Sequence, residues 1–449
     1  MNEERNKFIR FLIFQVIFWG LELVLFNYWQ YSGGLIICSL YIIWYFLEKD
    51  IYYKFYVLIS GLPFQAMTKI SAGTPSIAVL LYACFILECL SKKSFRISRR
   101  LGVSIISIAI LQLIAALRYN QQISNVISIS LMIIFSAITC DLFDSNTNPV
   151  TTYERCAWIY SLSLVIDIYI VNVFPQLPYY ILRDKQLILD RVGRFCALNG
   201  DPNYFGQLII VGVGFMSALS IRYIKNKEYK TFTISTILSI VLAINGMRSI
   251  SKAYVFALAG VVMILLWYIS MEGKTVGKKI LSLFLLICVG SFALYFLLNK
   301  LILPTISMRS DVDLFTGRLE KWDMYLNILR DDPFIILFGT GFANSVNVLR
   351  SLTGSGAATH NLYLELICDV GIVGLFFVSL PLFYKKGIIY SLFDNSLMLF
   401  VWGFLITSIG LSASASDVMY YIIPLMTLVI CYSRKQKEEI ENSMSVDER

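Results

Sequence analysis

Apolar runs of roughly 17–25 residues recur along the chain, each closed by a short polar or charged cluster. About twenty residues at 1.5 Å each cross a hydrocarbon layer of about 30 Å, so the pattern predicts membrane-spanning helices. Barrel strands would be about ten residues long and strictly alternating, which this chain is not. About fourteen spans are expected, at 8–27, 33–47, 52–67, 75–91, 101–118, 123–143, 156–174, 204–221, 231–247, 252–270, 280–303, 361–384, 391–411 and 418–432. The 33–47 and 52–67 runs are short; if both are re-entrant or interfacial, the count falls to twelve with the same orientation. The stretch 11–26 lacks a small-x-small cleavage site and reads as a retained signal anchor.

Two long segments, 175–203 and 304–360, break the rhythm. In the second, Leu319, Trp322, Tyr325 and Leu329 recur at helical spacing, with Arg318, Glu320, Lys321 and Asp323 on other faces. An amphipathic helix is predicted over 317–331, capped by Thr316 and stopped by Pro333. It would lie on the membrane surface or lid a cavity. The Gly339-Thr340-Gly341 and Gly354-Ser355-Gly356 strips after it are expected to be mobile. The chain then divides into N-terminal helices over 1–194, a catalytic region over 195–384 that includes loop 304–360, C-terminal helices over 385–432 and a polar cytoplasmic tail over 433–449.

Composition agrees with this picture. Hydrophobic residues make up 57% and charged residues 15%, with a mean hydropathy of +0.69; soluble domains carry about 25% charged residues. The net charge of +8 does not point to nucleic acid, because the cations follow topology. Clusters at 92–100, 222–230, 271–279, 385–386 and Arg434-Lys435 fall on one face, which the positive-inside rule makes cytoplasmic. Both termini are expected there. Most cations on the other face sit in the two long segments, including Arg183, Lys185, Arg191 and Arg194 in the first and Arg309, Arg318, Lys321, Arg330 and Arg350 in the second. The nine cysteines show neither a disulfide framework nor metal-site spacing.

The candidate chemistry centres on the one histidine, His360, where a polar loop enters a predicted helix. Imidazole is the side chain whose ordinary pKa lies nearest neutrality, and a helix N-terminus disfavours its charged form. Glu365 and Asp369 share a face of that helix, and such intramembrane carboxylates usually face an interior or a cavity. Asp201 and Asn203 read either as site residues or as a helix N-cap after a turn. Arg248 reads as a site cation or as a residue snorkelling to the interface.

Four pieces together resemble the O-antigen polymerase and O-antigen ligase superfamily of polytopic bacterial glycosyltransferases. They are Gly200-Asp201-Pro202-Asn203, then Asn245-Gly246-Met247-Arg248-Ser249, then Gly317-Arg318 with Trp322, Asp332-Pro333, Gly339 and Gly341, and finally His360-Asn361 followed by Gly371-x-x-Gly374. The resemblance covers about 195–380. It implies a helical C-type glycosyltransferase-like fold, an outward-facing site in the cytoplasmic membrane, a lipid-linked donor (undecaprenyl diphosphate glycan), and neither cofactor nor metal. On that basis His360 is the expected general base, and Arg248 and Arg318 hold the diphosphate, since arginine grips phosphate oxygens as a fork. Arg194, Arg191, Asn361, Asp201 and Asn203 are the expected substrate contacts. Expected partners are an acceptor glycan and the bilayer, with a chain-length regulator and a flippase as further candidates. The expected reaction is polymerisation of repeat units. The alternatives are ligation of the glycan to a lipid A core or another terminal acceptor, and transport by a lipid-linked oligosaccharide flippase.

Overall fold

The computed structural model describes residues 2–65, 67–68, 76–91, 99–120, 123–144, 148–176, 194–199, 201–271, 318–354, 359–383, 395–411 and 422–433, with a few single positions elsewhere. The predicted 280–303 span, Thr316, Arg191 and Gly200 lie outside them. The described residues are helical, with no strand. In chain order the helices are α1 (Asn2–Leu47), α2 (Ile51–Ser60), α3 (Ile77–Ser91), α4 (Arg99–Tyr119), α5 (Ile123–Asp144), α6 (Pro149–Val173), α7 (Pro202–Lys225), α8 (Tyr229–Met247), α9 (Lys252–Met271), α10 (Arg318–Asp331), α11 (Pro333–Phe338), α12 (Ser345–Thr353), α13 (Leu362–Phe383) and α14 (Leu399–Thr407). Among the described residues, six helices are long and apolar enough to cross a membrane: Gly102–Tyr119, Pro149–Val173, Pro202–Lys225, Tyr229–Met247, Lys252–Ser270 and Leu362–Ser379. Shorter apolar helices include Leu35–Leu47, Ile77–Ser91 and Ile422–Ser433. The chain forms two compact units, one of Met1–Lys92, Val150–Val261 and Ser396–Phe404, the other of Lys93–Pro149, Val262–Asn395 and Leu405–Arg449.

The first unit is organised around α7. Asp201 caps it by accepting hydrogen bonds from Asn203 N and Tyr204 N at 2.7 and 3.4 Å, and Pro202 opens its first turn. Nearly its whole length is buried. Small residues permit this. Gly214 sits so close to the Phe400 backbone that a Cβ would collide with it, and Phe215 stacks on Phe400 at 4.5 Å. Hydroxyl pairs join α7 to α8, Ser217 to Ser239 at 2.9 Å and Ser220 to Ser235 at 2.8 Å, as suits helices that pack without a hydrophobic driving force.

Helix α1 reverses on itself. A straight helix of its 46 residues would be about 69 Å long and would leave Phe11 and Trp44 about 50 Å apart. Their rings lie 5.5 Å apart, and Trp19 meets Tyr41 at 5.3 Å, so two arms run antiparallel. This agrees with two predicted spans, 8–27 and 33–47. The predicted span 52–67 is corrected. α2 is a ten-residue helix, about 15 Å long, nearly all buried, and it ends at Gly61 before the Leu62–Phe64 turn. Half a membrane thickness is too short to cross, and Pro63 cannot continue the helix.

In the second unit the amphipathic helix forms as predicted. α10 ends at Asp331, and its buried face of Tyr325, Ile328 and Leu329 packs with Ile335, Leu349 and Cys368. Pro333 also starts a new helix. Asp332 caps α11 through Phe334 N at 3.0 Å, accepts from the Tyr119 hydroxyl at 2.8 Å and pairs with Arg118 at 3.1 Å.

Two glycine positions shape the junction here. Gly371 does permit a close approach, but at a break in the helix rather than along a continuous one. It breaks α13 with φ +65° and ψ 177°, a conformation essentially reserved for glycine. A Cβ there would strike the Leu337–Phe338 backbone. The break withdraws the N–H groups that Cys368 O and Asp369 O would otherwise accept four residues on. Thr340 N and Gly341 N replace them, each at 2.8 Å. The Gly339-Thr340-Gly341 strip is therefore pinned, not mobile. Buried Asp369 completes the junction, its carboxylate accepting from Ala343 N at 2.8 Å and Ser345 N at 3.0 Å at the head of α12. Gly354 closes α12 in the left-handed conformation, φ +74°.

Candidate active site

In the second unit, His360 stands one residue ahead of the cap of α13. Asn361 Oδ1 accepts from Tyr363 N at 3.1 Å and Leu364 N at 3.2 Å, so this side chain starts the helix. The buried Thr359 hydroxyl bridges to Asn361 O at 3.0 Å and Asn361 N at 3.1 Å. Leu362 N is held by Ser408 O at 2.9 Å. Between these anchors His360 is half-buried with φ +52°. A non-glycine residue in that region costs of order 1–3 kcal/mol, and such strain clusters at functional sites.

The Trp322 indole donates to Thr359 O at 2.9 Å, tying α10 to the residue before His360. Arg318 opens α10, one turn before Trp322. Trp322 thus places the helix that carries Arg318.

The first unit gathers the other arginines. Arg194 Nε donates to Ser249 O at 2.9 Å and its Nη2 to Asn203 Oδ1 at 3.1 Å. Phe195 N binds Arg248 O at 3.0 Å. Arg248 lies over the Phe195 ring at 4.0 Å, while Asn245 Oδ1 and Asn172 Oδ1 each accept from its guanidinium at 3.0 Å. No ion pair among the described residues involves Arg248. Its charge is oriented by neutral oxygens and a ring face, and it is exposed. Ala197 (φ +46°) and Ile250 (φ +51°) flank the cluster, further strained positions beside site candidates. Of the expected contacts, Arg194, Asn203 and Arg248 meet here, with Asp201 spent on its cap. Arg191 lies outside the described residues.

Sequence reading missed Phe195 and Asn172, and gave Asn245 a place in a motif but no role. Asn245 carried a usable signal, three residues before Arg248 at the end of a helix; Asn172 carried none, being 76 positions away. Thr359 was equally unmarked.

Residues 233–379 match the model of the O-antigen ligase family. That stretch contains Arg248, Arg318 and His360, and the match is consistent with a member of the O-antigen polymerase and ligase superfamily. Together with the apolar helices it points to a multi-pass bacterial membrane protein. No curated protein matches the chain.

Proposed function

We propose that the protein is a glycosyltransferase that polymerises undecaprenyl-diphosphate-linked repeat units on the outer face of the cytoplasmic membrane, with both termini cytoplasmic. His360 accepts the proton of the acceptor hydroxyl as its oxygen bonds to the donor's anomeric carbon, and the bond from that carbon to the diphosphate breaks. Arg248 and Arg318 stabilise the negative charge left on the diphosphate, where preorganised cations act most strongly. Arg194 and Asn203 support Arg248's loop. One observation carries this reading: the stretch matching the O-antigen ligase family holds all three residues, and within it His360 is kept strained and anchored at a helix head.

Ligation to a terminal acceptor is the second reading, favoured by the family's own description. A gel of surface and lipid-linked glycans from cells with and without the protein separates them. Loss of the ladder with single repeats remaining means polymerase. Long chains retained on the lipid carrier mean ligase, and repeats accumulating on the cytoplasmic face mean a transporter. His360→Ala should lower turnover about 10²–10⁴-fold, the usual share of general base catalysis. Unchanged polymer length and amount would remove the base assignment.

A further inference from the structure

The second unit contains a groove that the proposed chemistry does not use. Its volume is about 1010 Å³, and it is walled by the C-terminal end of α4, by α10 and by α12. That is at the top of the roughly 300–1,000 Å³ range of small-molecule sites, so it has room for an oligosaccharide. Asn120, Asn327, Asn344 and Asn347 line it together with apolar residues such as Ile328 and Val348. The Asn120 and Asn327 side chains make no hydrogen bond to other described residues, and both residues are exposed. Amides donate and accept at once, which matches vicinal sugar hydroxyls, while an apolar wall matches the C–H face of a pyranose. The formal charges are Arg118 against Asp331 and Asp332, and Arg118 is already paired with Asp332. A diphosphate would find no uncommitted cation there.

The groove is also separate from His360. At 100° per residue, Met324, Asn327, Ile328 and Asp331 lie about 140–240° around α10 from Trp322, which faces Thr359. One side of α10 serves the histidine and the opposite side forms the groove, about 10–12 Å away through the helix. We infer that this groove is a second, non-catalytic glycan site, which holds an uncharged stretch of polysaccharide a few sugars from the reacting end. The inference rests on the glycosyltransferase reading above.

The test uses full-length protein in lipid nanodiscs. It is titrated with oligosaccharides of one to three repeat units, released from the host's own surface polysaccharide, and separately with inorganic pyrophosphate. Wild type should bind the oligosaccharide. The double variant Asn327→Ala/Asn347→Ala, at two exposed positions, should bind at least tenfold more weakly with an unchanged melting temperature, and pyrophosphate should not compete. Equal binding by wild type and variant, no oligosaccharide binding by wild type, or displacement by pyrophosphate would each overturn the groove assignment. The knockout gel judges the reaction independently. An unaltered glycan pattern there would sink the enzyme reading, while the titration still decides the groove.

Discussion

Two arginines in this protein sit over phenylalanine rings at nearly the same distance, Arg248 over Phe195 at 4.0 Å and Arg118 over Phe334 at 4.1 Å. Their other partners differ. Arg118 meets the Asp332 carboxylate, so its charge is compensated within the protein. Arg248 meets two amide oxygens, which orient it and leave its charge available. The ring and the fork geometry are common to both; only the absence of a described carboxylate suits Arg248 to an anionic ligand. Charge at a helix end is therefore informative once its partner is known.

The largest effect that would test this contrast is in turnover. Arg248→Ala should lower the rate of glycan transfer by about 10²–10³-fold, as for loss of one preorganised charge-stabilising donor. A rate within a factor of a few of wild type would make Arg248 a surface residue like its counterpart. Arg248→Lys should cost roughly tenfold, since the ammonium keeps the charge but loses the fork; if lysine restores full activity, the two amide partners do not matter. Asp332→Ala should act on stability instead. It removes a cap, and caps contribute about 0.5–2 kcal/mol, so the thermal melting midpoint should fall. Arg118→Ala is the smallest change. The pair is 48% and 31% exposed, and exposed pairs contribute about 0–1 kcal/mol. Melting should move little and turnover should hold; a large loss of turnover here would erase the contrast.

The candidate residues were named from the sequence alone. His360, Arg248 and Arg318 stand at the ends of predicted helices, and local periodicity located those ends. Arg318–Asp331 forms at the predicted place because its apolar spacing is complete within fourteen residues. The Asp201 cap was equally readable, since an N-cap is satisfied two or three residues away. The glycines misled. Gly339 and Gly341 have loop composition, yet the broken α13 supplies the carbonyls that fix them. Gly371 lies inside a helical pattern, yet it is where the helix stops being regular. In both cases the deciding partner is some thirty positions away.

The sequence by itself determined the helical membrane class, most helix positions and the residues with chemistry to offer, because hydropathy, capping and spacing act over a few residues. Tertiary structure alone decided the reversal within Asn2–Leu47, the pinning of the glycine strip, and which arginine is neutralised. Arg118 finds its carboxylate 214 positions away and Arg248 its amide 76 away. The energy of a charge depends on what stands within about 4 Å of it, and only the fold determines which residues those are.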